Sequence, residues 1–234
     1  MTKLAKQVLA PVAVSMLAMG VGSAFAYEAG DMVIRGGYAS VNPDSSSDRV
    51  LPASLLADQN TVEVDDGAAA GISLTYMLDN NLGLEVLAAT PFSHDIEGAD
   101  ALKGLDVGET KHLPPTVSFQ YNMDVSEQVN IYGGVGINYT TFFDEETTDA
   151  LNTALAGVLG AAVNSSKLEL EDSWGLAFSA GVDFKIDEQW GINAGLYWVD
   201  IDTTASVYVN GAKATEFDVE IDPMVYRLNV VYKL

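Results

Sequence analysis

Two histidines, His94 and His112, are the only imidazoles in the chain. With Asp95 beside the first, they are the sparsest set that could ligate a transition metal. They stand at the two ends of a link between strand-like runs, so a polar pair in a loop is the simpler expectation. Carboxylates are denser: Asp144 to Asp149 reads DEETTD and Glu169 to Asp172 reads ELED. Neither run has the central Gly and terminal Glu of a calcium loop, which leaves solvated loop surface as the better reading. No G-x-S-x-G, phosphate loop or dinucleotide fingerprint occurs, and the GGVG of Gly133 to Gly136 falls inside a strand pattern. There is no cysteine, which excludes disulfides and thiolate metal sites. With no positioned nucleophile and base, neither an enzyme, a metal nor a cofactor is expected. More informative are charges set within strand patterns, on the side where apolar neighbours are few: Arg35, Glu85, Asp183, Arg227 and Lys233. Charges there must pair or be solvated.

The elements that would hold them read as follows. Residues 1–26 carry Lys3 and Lys6, then an apolar stretch from Val8 to Val21 and the small-residue pattern Ala24-Phe25-Ala26, the features of a cleaved secretory signal. The mature chain, 27–234, would retain 9 basic residues against 33 acidic ones, a formal −24. That charge argues against a nucleic-acid partner, whose phosphates need Lys and Arg.

Eight strand-like runs follow. They are a first around Met32 to Tyr38, then Thr61–Leu78, Leu82–Phe92, Leu113–Met123, Val129–Phe143, Leu168–Ile186, Trp190–Val199 and Met224–Leu234. Each keeps one apolar parity, as in Ile72, Leu74, Tyr76 and Leu78. The other parity is Gly, Ala, Ser, Asn and Thr with isolated charges, where a soluble sandwich would show Lys, Glu and Asp. Small inward residues suit a narrow closed barrel whose outer face meets lipid. Turns after Leu78, Met123 and Ile186 are short. The links Val41–Asn60, Ser93–Lys111 and Asp144–Lys167 are long, and Asn210-Gly211 marks a tight turn at the tip of long strands. Within Thr147 to Val163 a short helix is expected, with Thr147 or Thr148 as its cap. Tyr121, Tyr226, Tyr232, Trp190 and Phe184 lie near turns or the terminus, and Trp174, Trp198, Tyr139 and Phe143 near the outer ends, as in two interfacial girdles. The expected architecture is therefore all-β: an eight-stranded antiparallel transmembrane β-barrel with short periplasmic turns and a short extracellular loop helix.

Several stretches resemble the OmpW family of bacterial outer-membrane proteins, which includes alkane-uptake relatives: LGLEVLAATPFSHDI (Leu82 to Ile96), KHLPPTVSFQY (Lys111 to Tyr121), YGGVGINYTTFFD (Tyr132 to Asp144), DSWGLAFSAGVDF (Asp172 to Phe184) and WVDIDTTA (Trp198 to Ala205). The resemblance implies a location in the bacterial outer membrane, with lipid and lipopolysaccharide as surroundings, and a passage for small hydrophobic molecules that does not continue as a water-filled pore. It places Leu87 and Tyr197 at the positions that narrow that passage, with Tyr197 where relatives carry Trp. An apolar inner group, Leu87 with Met77 and Val199, would sit above a polar plug of Arg35, Glu85, Asp183 and Arg227. Pro114 and Pro115 withdraw two N–H donors from the wall at the head of the fourth run, so the loosened ladder could serve as a lateral exit into the membrane; alternatively they only start a strand. The functional expectation is passive uptake of small hydrophobic molecules. A receptor or adhesion barrel acting through its extracellular loops is the alternative.

Overall fold

The computed structural model describes residues 27–56 and 58–234; the expected signal segment, 1–26, lies outside them. The elements are β1 (Met32–Asn42), β2 (Ser46–Ser47), β3 (Asn60–Val64), β4 (Gly67–Met77), β5 (Leu82–Ala89), β6 (Phe92–Asp100), β7 (Asp106–Leu113), β8 (Thr116–Ser126) and β9 (Val129–Thr147). After helix α1 (Asp149–Leu159) come β10 (Ser166–Leu170), β11 (Ser173–Lys185), β12 (Trp190–Val199), β13 (Asp202–Val209), β14 (Ala212–Glu220) and β15 (Met224–Lys233). Strands β1, β4, β5, β8, β9, β11, β12 and β15 pair antiparallel in that order, and β15 returns to β1 from Val33↔Lys233 to Asn42↔Met224. The ring is closed, so no barrel edge is left to pair with another chain.

The period of two read from the sequence is the alternation of the wall. Val33, Arg35, Ser73, Thr75, Glu85, Gln120 and Asn193 face a buried interior, while Ile72, Val86, Phe119, Ile137, Leu176 and Leu228 stand exposed on the outer surface. Such a band around a whole barrel is tolerable only against hydrocarbon. No helix among the described residues is long and apolar enough to cross a membrane; the crossing is made by strands. Aromatics flank the band, with exposed Trp190 against half-buried Tyr232 at the periplasmic end and half-buried Tyr139 against exposed Trp174 at the other. Tyr226 belongs with the outer group: it pairs with Ser40 and Leu196 beside the start of β15, so its assignment to the turn side is corrected.

The three long links carry secondary structure of their own: β2 in the first, β6 and β7 in the second, and the outer end of β9, α1 and the start of β10 in the third. The run Thr61–Leu78 breaks at Asp65-Asp66, and β3 leaves the barrel to pair with β6, which pairs with β7, which joins the outer end of β9. Leu168–Ile186 breaks likewise at Glu171-Asp172, and β10, β13, β14 and β2 form a separate four-stranded sheet. Asn210 (φ 51°) and Gly211 (φ 83°) turn its hairpin, both in the left-handed region that a two-residue turn of this hand demands. The helix lies where the sequence placed it. Thr148 caps α1 by accepting from the Leu151 N–H (3.0 Å), Gly160 ends it at φ 62°, and its buried residues Leu151 and Leu155 face down onto this extracellular assembly.

Candidate functional site

The barrel interior is layered. At the periplasmic end Tyr27, Val33, Met77 and Val231 form a small apolar cluster. Met77 is thus below the charged layer, not beside Leu87 and Val199 as expected: it pairs with Gly83, two inward positions below Leu87, which pairs with Ser73. Lys233 also stays low, bridging Asp31 at 3.0 Å.

Above that cluster, Arg35, Glu85, Asp183 and Arg227 converge from four strands into one hydrogen-bonded network. Arg35 is fully buried and forks onto Asp183, Nε to Oδ1 at 3.1 Å and Nη2 to Oδ2 at 2.7 Å. Its Nη1 donates to Thr75 Oγ1 (2.8 Å) and lies 4.0 Å from Glu85. Asp183 accepts further hydrogen bonds from Tyr27 Oη (2.8 Å) and Asn193 Nδ2 (2.8 Å). Tyr197 donates its hydroxyl across both Glu85 oxygens at 3.2 Å and accepts from Arg227 Nη1 at 3.5 Å. Two cations and two anions therefore balance in one layer, and Tyr132 packs its ring 4.8 Å beneath the Arg35 guanidinium. Gly181 and Gly195 make room for that ring; a β-carbon at Gly181 would overlap it.

Directly over this layer lies a small apolar chamber, walled by Leu87, Phe92, Tyr197, Val199 and Val225 and floored by Arg227. A second, distal apolar chamber lies within the extracellular assembly, between Ile96, Val107, Phe142, Leu155, Val207 and Phe217. His112 lines both. Leu87 and Tyr197 thus meet at one chamber, with Tyr197 forming the seam between hydrocarbon above and charge below.

The histidines are not loop residues. Strands β6 and β7 bring them side by side, His94 at 2% exposure, with ring centroids 4.8 Å apart and Phe92 stacked on His112 at 5.3 Å. Burial pushes His94 below its ordinary value; burial, reinforced by His94, pushes His112 down to about 3. The sequence signal was present in the shared parity of Phe92, His94 and Ile96, but required seeing β6 as a strand. Neither acidic run gathers into a cation site. Instead Asp200, Asp202 and Asp222, from separate segments, place carboxylate oxygens within 4.8 Å of one another. Partial burial and then repulsion from Asp200 and Asp222 raise Asp202.

The prolines mark a discontinuity in the wall. Strand β5 pairs with β8 only as far as Leu87↔Thr116, so Ala88 and Ala89 keep β4 on one side and have no ladder partner on the other. Pro114 and Pro115 occupy that level. Their carbonyls are held by the far strand: Asn138 Nδ2 donates to both (3.1 and 3.3 Å), and the Tyr139 N–H donates to Pro115 (3.0 Å). The proximal chamber reaches this gap, since outward-facing Ala88 lines it together with Leu87 and the half-buried Pro114.

A closed eight-stranded barrel with a lipid-facing belt, a charged middle layer and an apolar extracellular half defines a bacterial outer-membrane barrel protein of the transport type. The chain belongs to the OmpW family, whose family model matches residues 28–234. It is 40% identical over 231 residues to outer membrane protein W of Vibrio cholerae, across 97% of this chain and 99% of that protein, and 38% identical over 229 residues to outer membrane protein W of Escherichia coli K12, across 97% and 99%. The crystal structure of OprG from Pseudomonas aeruginosa superposes with a TM-score of 0.76 at 36% identity, covering 89% of this chain and 98% of that one. AlkL in lipid bilayers shares the fold, with a TM-score of 0.63 at 20% identity over 94% and 95% of the two chains.

Proposed function

We propose that this outer-membrane barrel takes up small hydrophobic molecules passively, through the distal chamber, past His112 into the proximal chamber, and then sideways through the gap at Pro114 and Pro115 into the outer leaflet. The observation that carries this reading is the wall discontinuity: an apolar chamber extends to the one level where β5 loses its ladder with β8. Below the chamber the buried network of Arg35, Glu85, Asp183 and Arg227 acts as a plug, since an apolar solute would have to break charge-assisted hydrogen bonds and strip buried ions to go further down. Leu87 and Tyr197 act as the constriction that turns the solute toward the wall. Apolar solutes need no binding group for such a route; they need continuous hydrocarbon and an exit, and at this one the carbonyls of Pro114 and Pro115 are already held by Asn138.

A photoreactive apolar diazirine supplied to the protein in vesicles tests the route. Labelling of Leu87, Val199 and Phe217 that saturates and is competed by unlabelled toluene is expected, alongside non-saturating labelling of the lipid-facing belt. Belt labelling alone would overturn the reading.

A further inference from the structure

The distal chamber of the route described above holds a polar group that uptake of hydrocarbon does not explain. His94 lines the distal chamber among Val64, Ile96, Leu105 and Val107, and a histidine in hydrocarbon requires an account of both ring nitrogens. Its Nδ1 lies 2.6 Å from the Asp65 carbonyl oxygen, which can only accept, so Nδ1 carries the hydrogen. Nε2 is buried and meets no hydrogen-bond partner among the described residues. Asp65, Asp66 and Asp95 stand near the ring, yet burial outweighs them and keeps it neutral, which makes Nε2 a lone-pair acceptor. The ring is also held in place. Gly67 packs flat against it, where a β-carbon would collide with Cε1 and Nε2, and the His112 ring stacks on it with centroids 4.8 Å apart. Thr110, its register partner across β6 and β7, lines the same chamber. A pure hydrocarbon passing through would leave Nε2 unmet.

Resting on the uptake reading above, we infer that the distal chamber selects small apolar molecules that carry one hydrogen-bond donor, such as an alcohol, a phenol or a heteroaromatic N–H, and that Nε2 of His94 accepts that donor. A fixed acceptor in an apolar wall discriminates because the ligand lacking a donor leaves it unpaired.

The chain has two histidines, so ¹⁵N-histidine labelling gives a spectrum of two imidazoles. The labelled protein in lipid nanodiscs is titrated with p-cresol and with toluene, which differ by one hydroxyl, at matched free concentrations in the bilayer. Both are expected to enter the chamber, p-cresol about fivefold more tightly, and only p-cresol to move the Nε2 resonance of His94. His94→Phe should abolish the preference while both compounds still bind, and Gly67→Ala, which displaces the ring but keeps the histidine, should reduce it. Heat-modifiable mobility on gels establishes that each variant is folded, and either variant suffices. If both compounds bind without a shift at Nε2, or the preference survives displacement of His94, the donor selectivity is overturned and the uptake reading stands. If neither compound enters, both fall.

Discussion

Removing Arg35 and Asp183 together should cost the barrel clearly less than the sum of removing each alone. Arg35 has no solvent exposure and makes three hydrogen bonds through its guanidinium, two of them to Asp183. Its Nη1 is also 4.0 Å from Glu85, a separation at which unit charges interact by about 4 kcal/mol at an effective dielectric constant of about 20. In Arg35→Met, Asp183 and Glu85 are left as buried carboxylates with their shared cation gone, and the loss should be about 3–5 kcal/mol. Adding Asp183→Leu removes one stranded charge, so the double variant should be less destabilised than the sum of the singles by about 2 kcal/mol or more. Equilibrium urea unfolding in detergent micelles, followed by tryptophan fluorescence and by heat-modifiable mobility, gives all four corners of the cycle. Costs that add to within about 0.5 kcal/mol would refute the claim that these side chains form one coupled layer.

Further expectations concern the wall and the extracellular half. Phe119→Arg places a cation on the outward face of β8, between Leu84 and Val135; reversible folding into vesicles should weaken by about 2–4 kcal/mol, as at a bilayer midplane, whereas an unchanged value would mean that this face does not meet lipid. Gly181→Val drives a side chain into the Tyr132 ring and should lower stability by about 1–3 kcal/mol, read as a fall in the urea midpoint. Acid should also loosen the extracellular assembly. His112 is held near 3 against an ordinary 6.5, so the folded state refuses a proton that the unfolded state takes. Stability is then full above about pH 7 and falls as pH drops from about 6.5 toward about 3, by at most about 1.4 kcal/mol per pH unit for each such histidine. His112→Phe should flatten that slope, and an unaltered slope would assign the acid sensitivity elsewhere.

The barrel was legible because lipid touches every second side chain, and a period of two survives any local irregularity in the strands that cross the membrane. The charged layer was legible for the same reason: Arg35, Glu85, Asp183 and Arg227 share the inward parity, although their pairing, with Tyr197 bridging Glu85 to Arg227, depends on register that no single strand reveals. The extracellular half was legible only in its helix and its Asn210-Gly211 turn. Strands β6 and β7 are short and rich in polar outward residues, so they resemble loops until their partners are known, and β3 read as one continuous run with β4 across the break at Asp65-Asp66. That is why His94 and His112 read as surface residues when they are buried and stacked. Met77 was misplaced because parity gives the face of a residue and not its height. Pro114 and Pro115 were readable as a break in hydrogen bonding, but the tethering of their carbonyls by Asn138 came only with the β8–β9 register.

The proposed passage is tested most directly by the initial rate at which intact cells, lacking their own copy of the gene, take up toluene when supplied with wild-type protein or with Leu87→Asp at equal folded surface level. Leu87 borders the chamber where hydrocarbon meets the wall gap, and a carboxylate there should bring the rate down to that of cells without the barrel, while Glu216→Gln on the exposed β13–β14 hairpin leaves it unchanged. Undiminished uptake by Leu87→Asp would contradict a route through the barrel.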